Sequence, residues 1–450
     1  MPVILKEGKN KFRILDPFYA GEWEMDHEAL VSYLKLLERL EVLSLDYSIR
    51  LPERVKMAEV PEPLRTLFIH GLPLSCDFNI EKVLSFADNV ESGIITPPIP
   101  IFEITPICNY KCPWCFIPRE RRRRLSLETV QQKLVTPLLR RGTRIFVLTG
   151  GEPAADLPRL GDICRLITAE AAKLCTDVKI ALLTNGYELT SNAKIYKEFG
   201  ISSIQVSVIS TDPKLDHQLR HAPTGIDSAK EAFLGTKSAV EVGIDVSFNF
   251  VLLPTMKGML SNIHEIPEMV AYAKRLGVYM IRIVPVVQSG EASKNKISLT
   301  LDELRYARML IDIEIKQHGD DLIIYSPIGY DVPPNKPVYC RAGNDVVYIN
   351  SEGWIYPCNN LICPEFRCNE APLGRQDILD IWDRSPILKH FRSPAEVCNV
   401  CLGCDLRTEC GGQCRAQIYS KYGQIDLSCL PLKCYLSERT SLTKGEKQYL

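Results

Sequence analysis

Along the middle of the chain the spacing of apolar residues switches repeatedly between two patterns. Six short runs dense in Ile, Val, Leu and Phe, at 100–105, 144–149, 178–184, 204–210, 246–253 and 279–286, read as strands buried in a sheet. Between them, 127–140, 159–175, 228–242 and 263–276 place apolar residues at helical spacing, and Gly142, Gly200, Gly243 and Gly277 supply the stops that helix ends favour. Strands that alternate with helices predict an α/β fold with a parallel sheet. Six such units suffice for a partial barrel, in which ligands gather at the carboxyl ends of the strands.

The flanks follow other patterns. Upstream, 10–19 has strand character and 28–43 is an amphipathic helix with Leu30, Leu34, Leu37 and Leu40 on one face. We therefore expect an α+β N-terminal extension over 1–94, joined through 92–100, where Pro97, Pro98 and Pro100 read as a linker. Downstream, eleven of the seventeen cysteines fall between Cys340 and Cys434. Charge adds little, because the formal net charge of the 450 residues is −1 and points to neither nucleic acid nor membrane. The N-terminus has no signal-peptide core, and no run approaches the roughly twenty apolar residues of a membrane span. A cytoplasmic protein is expected, in which cysteines stay reduced and metal ligation is favoured over a disulfide framework.

The chemistry concentrates behind the first strand. Cys108, Cys112 and Cys115 are spaced C-x3-C-x2-C, with Pro113, Trp114 and Phe116 among and beside them. Three close cysteines in such a chain are also compatible with zinc. Against zinc stands the second strand, which ends in Gly150, Gly151, Glu152 and Pro153. Its glycines permit close backbone approach, and the carboxylate can accept hydrogen bonds from an amino group. Three thiolates also leave one iron of a cubane cluster open to a ligand that is not protein. The third strand ends in Thr184, Asn185 and Gly186, on the same rim.

In this order the motifs resemble the radical S-adenosylmethionine (radical SAM) superfamily. The resemblance implies a partial (β/α)6 barrel over 95–318 and a [4Fe-4S] cluster on Cys108, Cys112 and Cys115 whose open iron binds S-adenosylmethionine. It further implies that Gly150, Gly151, Glu152 and Pro153 hold the amino group of that cofactor, with Asn185 on the same rim. Ser207 and Arg220 stand where the family contacts ribose and carboxylate, and Asn249 and Arg282 are weaker candidates. The implied reaction is reductive cleavage of S-adenosylmethionine to a 5'-deoxyadenosyl radical that abstracts a hydrogen atom. A low-potential donor such as flavodoxin or ferredoxin would supply the electron.

The late cysteines resemble the SPASM extension of the same superfamily, which implies a cysteine-rich domain over 319–450 with two auxiliary [4Fe-4S] clusters. By that pattern Cys340, Cys358 and Cys414 serve the first cluster; Cys401, Cys404, Cys410 and either Cys429 or Cys434 serve the second. A hairpin turning at 351–353 would present Cys358. Cys363, Cys368 and Cys398 exceed the pattern, while Cys164 and Cys175 read as small apolar residues on a helix face. Many relatives with this extension mature peptides, so the expected substrate is a peptide or protein. The N-terminal extension reads either as a leader-binding module or as a helical cap on the barrel, and the arginines at 119–124 with Arg140, Arg141 and Arg144 either as solvated surface or as a strip for an acidic or phosphorylated substrate. A small molecule, such as a cofactor or porphyrin precursor, is the alternative substrate, and no nucleic acid is expected.

Overall fold

The computed structural model describes residues 3–8, 10–15, 22–38, 79–90, 93–95, 97–118, 123–256, 261–318, 322–325, 342–392 and 415–423. The N-terminal part is α+β, as expected. Strands β1 (Val3–Lys6), β2 (Phe12–Leu15), β3 (Glu22–Met25) and β4 (Gly93–Ile94) form an antiparallel sheet in the order β3-β2-β1-β4. Helices His27–Glu38 and Ile80–Asn89 belong to the same unit. The passage at 92–100 is packed rather than open: Gly93 and Ile94 pair with β1, and Ile95, Pro97 and Pro98 are buried on the way to the next strand.

The six expected strands appear as β5 (Ile99–Glu103), β6 (Ile145–Thr149), β7 (Lys179–Thr184), β8 (Ile201–Val208), β9 (Asp245–Leu252) and β10 (Met280–Pro285). They are consecutive parallel neighbours in one sheet. That sheet extends further on both sides. Strand β11 (Ile323–Tyr325) pairs with β10, and β12 (Val346–Ile349) pairs in parallel with β5 and turns back as β13 (Ile355–Tyr356). The hairpin around 351–353 is therefore present and its first strand continues the main sheet.

Alternate residues of each strand face opposite sides. Phe102, Phe146, Leu182, Val206, Phe248 and Ile281 meet the helices in the largest core. On the other face Ile99, Ile145, Val147 and Ala181 join Ile4, Phe12, Leu30 and Val83 of the N-terminal unit. The extension thus covers the helix-free face of the first three strands. Farther along that face the residues turn polar: Gln205 and Ser207 on β8, Asn249 on β9 and Arg282 on β10 are half-buried. The sheet also curls. The segment after β10 hydrogen-bonds the loop after β5, although β6 to β9 lie between those strands in the sheet.

Helix ends follow the expected chemistry. Gly142 caps Thr136–Arg141 in the left-handed region at φ 109°, a conformation that spares only glycine a steric cost. The helix expected over 127–140 carries a π turn at Gln131–Val135, a feature that apolar spacing does not encode. Cys164 is buried on its helix as expected. Cys175 is not: it lies beyond the last turn of Leu157–Lys173, exposed and at φ 48°.

Candidate functional site

The loop carrying Cys108, Cys112 and Cys115 leaves β5 and is tied at once to the end of β6. The Gly151 N–H donates to the Thr105 carbonyl at 2.9 Å and the Glu152 N–H to the Ile107 carbonyl at 2.7 Å. A Cβ on Gly150 would lie 2.8 Å from the Thr105 oxygen, and one on Gly151 would lie 2.3 Å from the Ile107 oxygen and 2.8 Å from the Cys108 Cβ. The paired glycines are thus required by the cysteine loop itself. On this side the closest approach of both glycines is to protein backbone.

Glu152 also has a different surrounding from the one expected. It is fully buried; Oε1 accepts from the Ala154 N–H at 3.0 Å and the Thr184 hydroxyl at 2.8 Å, and Oε2 from the Asn185 N–H at 2.7 Å. Burial pushes its carboxyl up to about 7, opposed by those three donors and by Arg220. The side chain therefore braces the ends of β6 and β7 against each other. Asn185 is equally engaged: its amide donates to Asn109 Oδ1 at 2.9 Å, and its carbonyl accepts from Arg220 at 3.3 Å.

Arg220 closes the floor beneath the loop. It is 1% exposed, pairs with Asp216 at 2.9 Å and also donates to the Ser207 carbonyl. Burial alone would lower its affinity for the proton, but Asp216 and Cys112 outweigh burial and leave it raised. The buried Tyr110 ring lies 5.7 Å from the guanidinium. Asp216, which the sequence reading passed over, was visible as the i, i+4 partner of Arg220 on the helix Pro213–Arg220. Register places Ser207 beside Asn249, and Asn249 beside Arg282, so these three form one row across β8, β9 and β10.

The loop suits a cluster. Cys108 keeps an exposed face, yet the protein crowded around it pushes its thiol up to about 12, and burial raises Cys112 as well. Thiolates held here call for a cationic partner. Among the described residues, no three His, Cys, Asp or Glu side chains converge closely enough to share one metal ion. A cubane takes one thiolate on each of three irons, and Cys108, Cys112 and Cys115 are three free thiols on one loop.

Beyond the barrel the site is described in part. Cys340, Cys398, Cys401, Cys404, Cys410, Cys414, Cys429 and Cys434 lie outside the described residues, as do the arginines at 119–122. Cys358 and Cys363 border the small core around Tyr348, Tyr356 and Phe366, whereas Cys368 is buried in the helix-side core. Glu103, also missed, is fully buried at the end of β5 and accepts from the Tyr348 hydroxyl at 2.5 Å. A carboxylate ending an apolar strand was the available signal. Arg141 leaves the proposed surface strip: it is 3% exposed, pairs with Asp383 at 3.0 Å, and stacks on Phe86 with its guanidinium carbon 3.5 Å from the ring centroid.

Comparison with known proteins agrees with this geometry. Residues 102–284 match the Radical SAM superfamily, and this stretch is a radical SAM domain. A GTP 3',8-cyclase of Vibrio parahaemolyticus is 30% identical over 195 residues, 42% of this chain and 54% of the relative. One from Haemophilus influenzae is 31% identical over 193 residues. The chain thus spans about half the length of the curated relatives it matches. Among solved structures, Streptococcus suis SuiB bound to precursor peptide SuiA aligns over 95% of this chain and 98% of its own, with TM-score 0.59 and 18% identity. Native anSMEcpe with bound AdoMet aligns over 79% of this chain and all of its own, with TM-score 0.58 and 17% identity. Those likenesses establish the shared fold. No described helix is long and apolar enough to cross a membrane.

Proposed function

We propose that the chain is a radical SAM oxidoreductase of the SPASM type that removes a hydrogen atom from a peptide or protein side chain. The observation that carries the reading is the three-cysteine loop, locked to the Gly150–Pro153 strand end inside the matched domain. When bound at that loop, a [4Fe-4S] cluster supplies the electron that cleaves S-adenosylmethionine to a 5'-deoxyadenosyl radical. Cys108, Cys112 and Cys115 would hold the cluster, and the backbone at 150–151 would face the amino end of the cofactor. Ser207, with Asn249 and Arg282 beside it, offers polar groups to the ribose side, and Arg220 fixes the rim from below. Trp114 and Phe116, packed against the cores around Ala292 and Tyr348, would shield one side of the loop from water. Cys358 and the late cysteines would serve auxiliary clusters that take up an electron from the substrate radical, and a low-potential donor such as flavodoxin or ferredoxin would supply the electron for the cleavage.

A peptide substrate is supported by the end-to-end fold likeness to SuiB, whose solved complex contains a precursor peptide. The N-terminal sheet adds to this, because β3 is an edge strand among the described strands and could accept an extended peptide by strand addition. A small-molecule substrate is the second reading, favoured by the sequence relationship of the barrel to the GTP 3',8-cyclases. The test is 5'-deoxyadenosine formation by anaerobically reconstituted, reduced protein given macromolecular or small-molecule fractions of a cell extract. Stimulation by the macromolecular fraction that protease destroys is expected. Stimulation by the small-molecule fraction alone refutes the peptide reading.

A further inference from the structure

The cysteine loop is gripped from two sides. One is the Gly150–Pro153 strand end, which meets Ile107 and Cys108. The other comes from the far end of the sheet, where the chain leaves β10 and turns into the short helix Gly290–Lys294. There the Glu291 N–H donates to the Cys115 carbonyl at 2.7 Å, and the Asn295 amide donates to the Pro113 carbonyl at 2.7 Å. Trp114, between those carbonyls in the chain, packs against the core containing Ala292 and Ile297. Gly290 sits at φ 53°, and a Cβ there would stand 2.4 Å from the Phe116 carbonyl oxygen and 2.6 Å from that of Cys115. Both are backbone atoms and cannot swing aside as a flexible side chain would.

We propose that residues 289–297 form a second clamp on the cysteine loop and that Gly290 is a positioning residue for Cys115. The inference rests on the reading of Cys108, Cys112 and Cys115 as cluster ligands. The two clamps divide the work. The β6 end fixes the first cysteine, and the segment after β10 fixes the third. Because the jaws belong to strands separated by three others in the sheet, the spacing between the outer thiolates is set by the curl of the sheet as well as by the loop.

The test compares Gly290→Ala with Gly225→Ala in the full chain, reconstituted and reduced. Gly225 also has positive φ, 88°, but a Cβ there meets nothing within 4 Å, so this variant carries the backbone strain without the contact. The readout is the part of the cluster's electron paramagnetic resonance signal that shifts when S-adenosylmethionine is added. Gly290→Ala should lower it by about tenfold or more, as loss of supporting contacts around a metal site does. Gly225→Ala should retain it. Asn295→Ala, which introduces no strain, should show a smaller loss in the same direction. Before reconstitution, iodoacetamide should alkylate Cys115 faster in Gly290→Ala than in Gly225→Ala, with Cys108 unchanged. Equal Cys115 labelling in the two variants overturns the proposal, whatever the clusters do. Absence of any S-adenosylmethionine-responsive signal in the unaltered protein would instead defeat the cluster reading, and the labelling would still decide the clamp.

Discussion

Glu152 gives the sharpest quantitative prediction, through Glu152→Gln. Its folded carboxyl titrates at about 7 against an ordinary 4.5, chiefly because burial disfavours the charge. A raised acid contributes stability that is complete below the unfolded value and lost as pH climbs through the folded one. Between pH 4.5 and 7 the unfolded chain ionises while the fold retains its proton, at about 1.4 kcal/mol per pH unit. The fold therefore loses about 3 kcal/mol from this group by pH 8. Glutamine does not titrate. Its amide would face the Asn185 N–H that Oε2 now accepts, a loss of about 1–3 kcal/mol at every pH. In urea denaturation of the cluster-free full-length protein, Glu152→Gln should be the less stable form at pH 5 and should gain about 2–3 kcal/mol on the unaltered protein by pH 8. A stability difference that is the same at both pH values refutes the reasoning and would mean that Arg220 and the three donors hold the carboxylate ionised.

Other consequences are equally direct. Arg141→Met should cost about 3–5 kcal/mol, because it leaves Asp383 and two backbone carbonyls without their buried donor; a loss below about 1 kcal/mol in denaturant titration would contradict this. Phe12→Ala should destabilise the radical SAM domain along with the extension by about 3–5 kcal/mol, since Phe12 belongs to the core that Ile145 and Val147 share; two separate unfolding transitions would refute a common core. Joint replacement of Cys108, Cys112 and Cys115 by Ala should abolish 5'-deoxyadenosine formation while auxiliary-cluster absorbance persists, and retained cleavage would defeat the assignment.

The shared core also bears on substrate assignment. Removing the first ninety residues would strip Ile99, Ile145, Val147 and Ala181 of their cover, so lost turnover would report instability as readily as a lost peptide site. Point variants on the β3 edge separate the two.

What the sequence showed and what it hid differ by range. Strands β5 to β10 were legible because each is a dense apolar run bounded by glycine or polar residues, and period is a local property. The start of β8 was placed late, since Ser202 and Ser203 interrupt the apolar run although they belong to the strand. The cysteine spacing and the Gly150–Pro153 motif were legible as chemistry. Their geometry was not: that the glycines face Thr105 and Ile107, or that Glu152 is occupied by Thr184 and Asn185, depends on contacts between different strand ends. Arg141 misled for the same reason, because its sequence neighbours are surface arginines and its partner Asp383 lies 242 residues away.

The parallel pairing of β12 with β5 has a consequence for synthesis. Residues 99–102 receive their outer partner only when residues 346–349 have been made, roughly 250 residues later. At about 5–20 residues per second, that strand waits on the order of tens of seconds on the ribosome with one edge unpaired. An open apolar edge is a template for association with other chains. The interval also leaves the adjoining three-cysteine loop without Tyr348 against Phe116, so metal loading before the chain is complete would act on a loop still missing one of its walls.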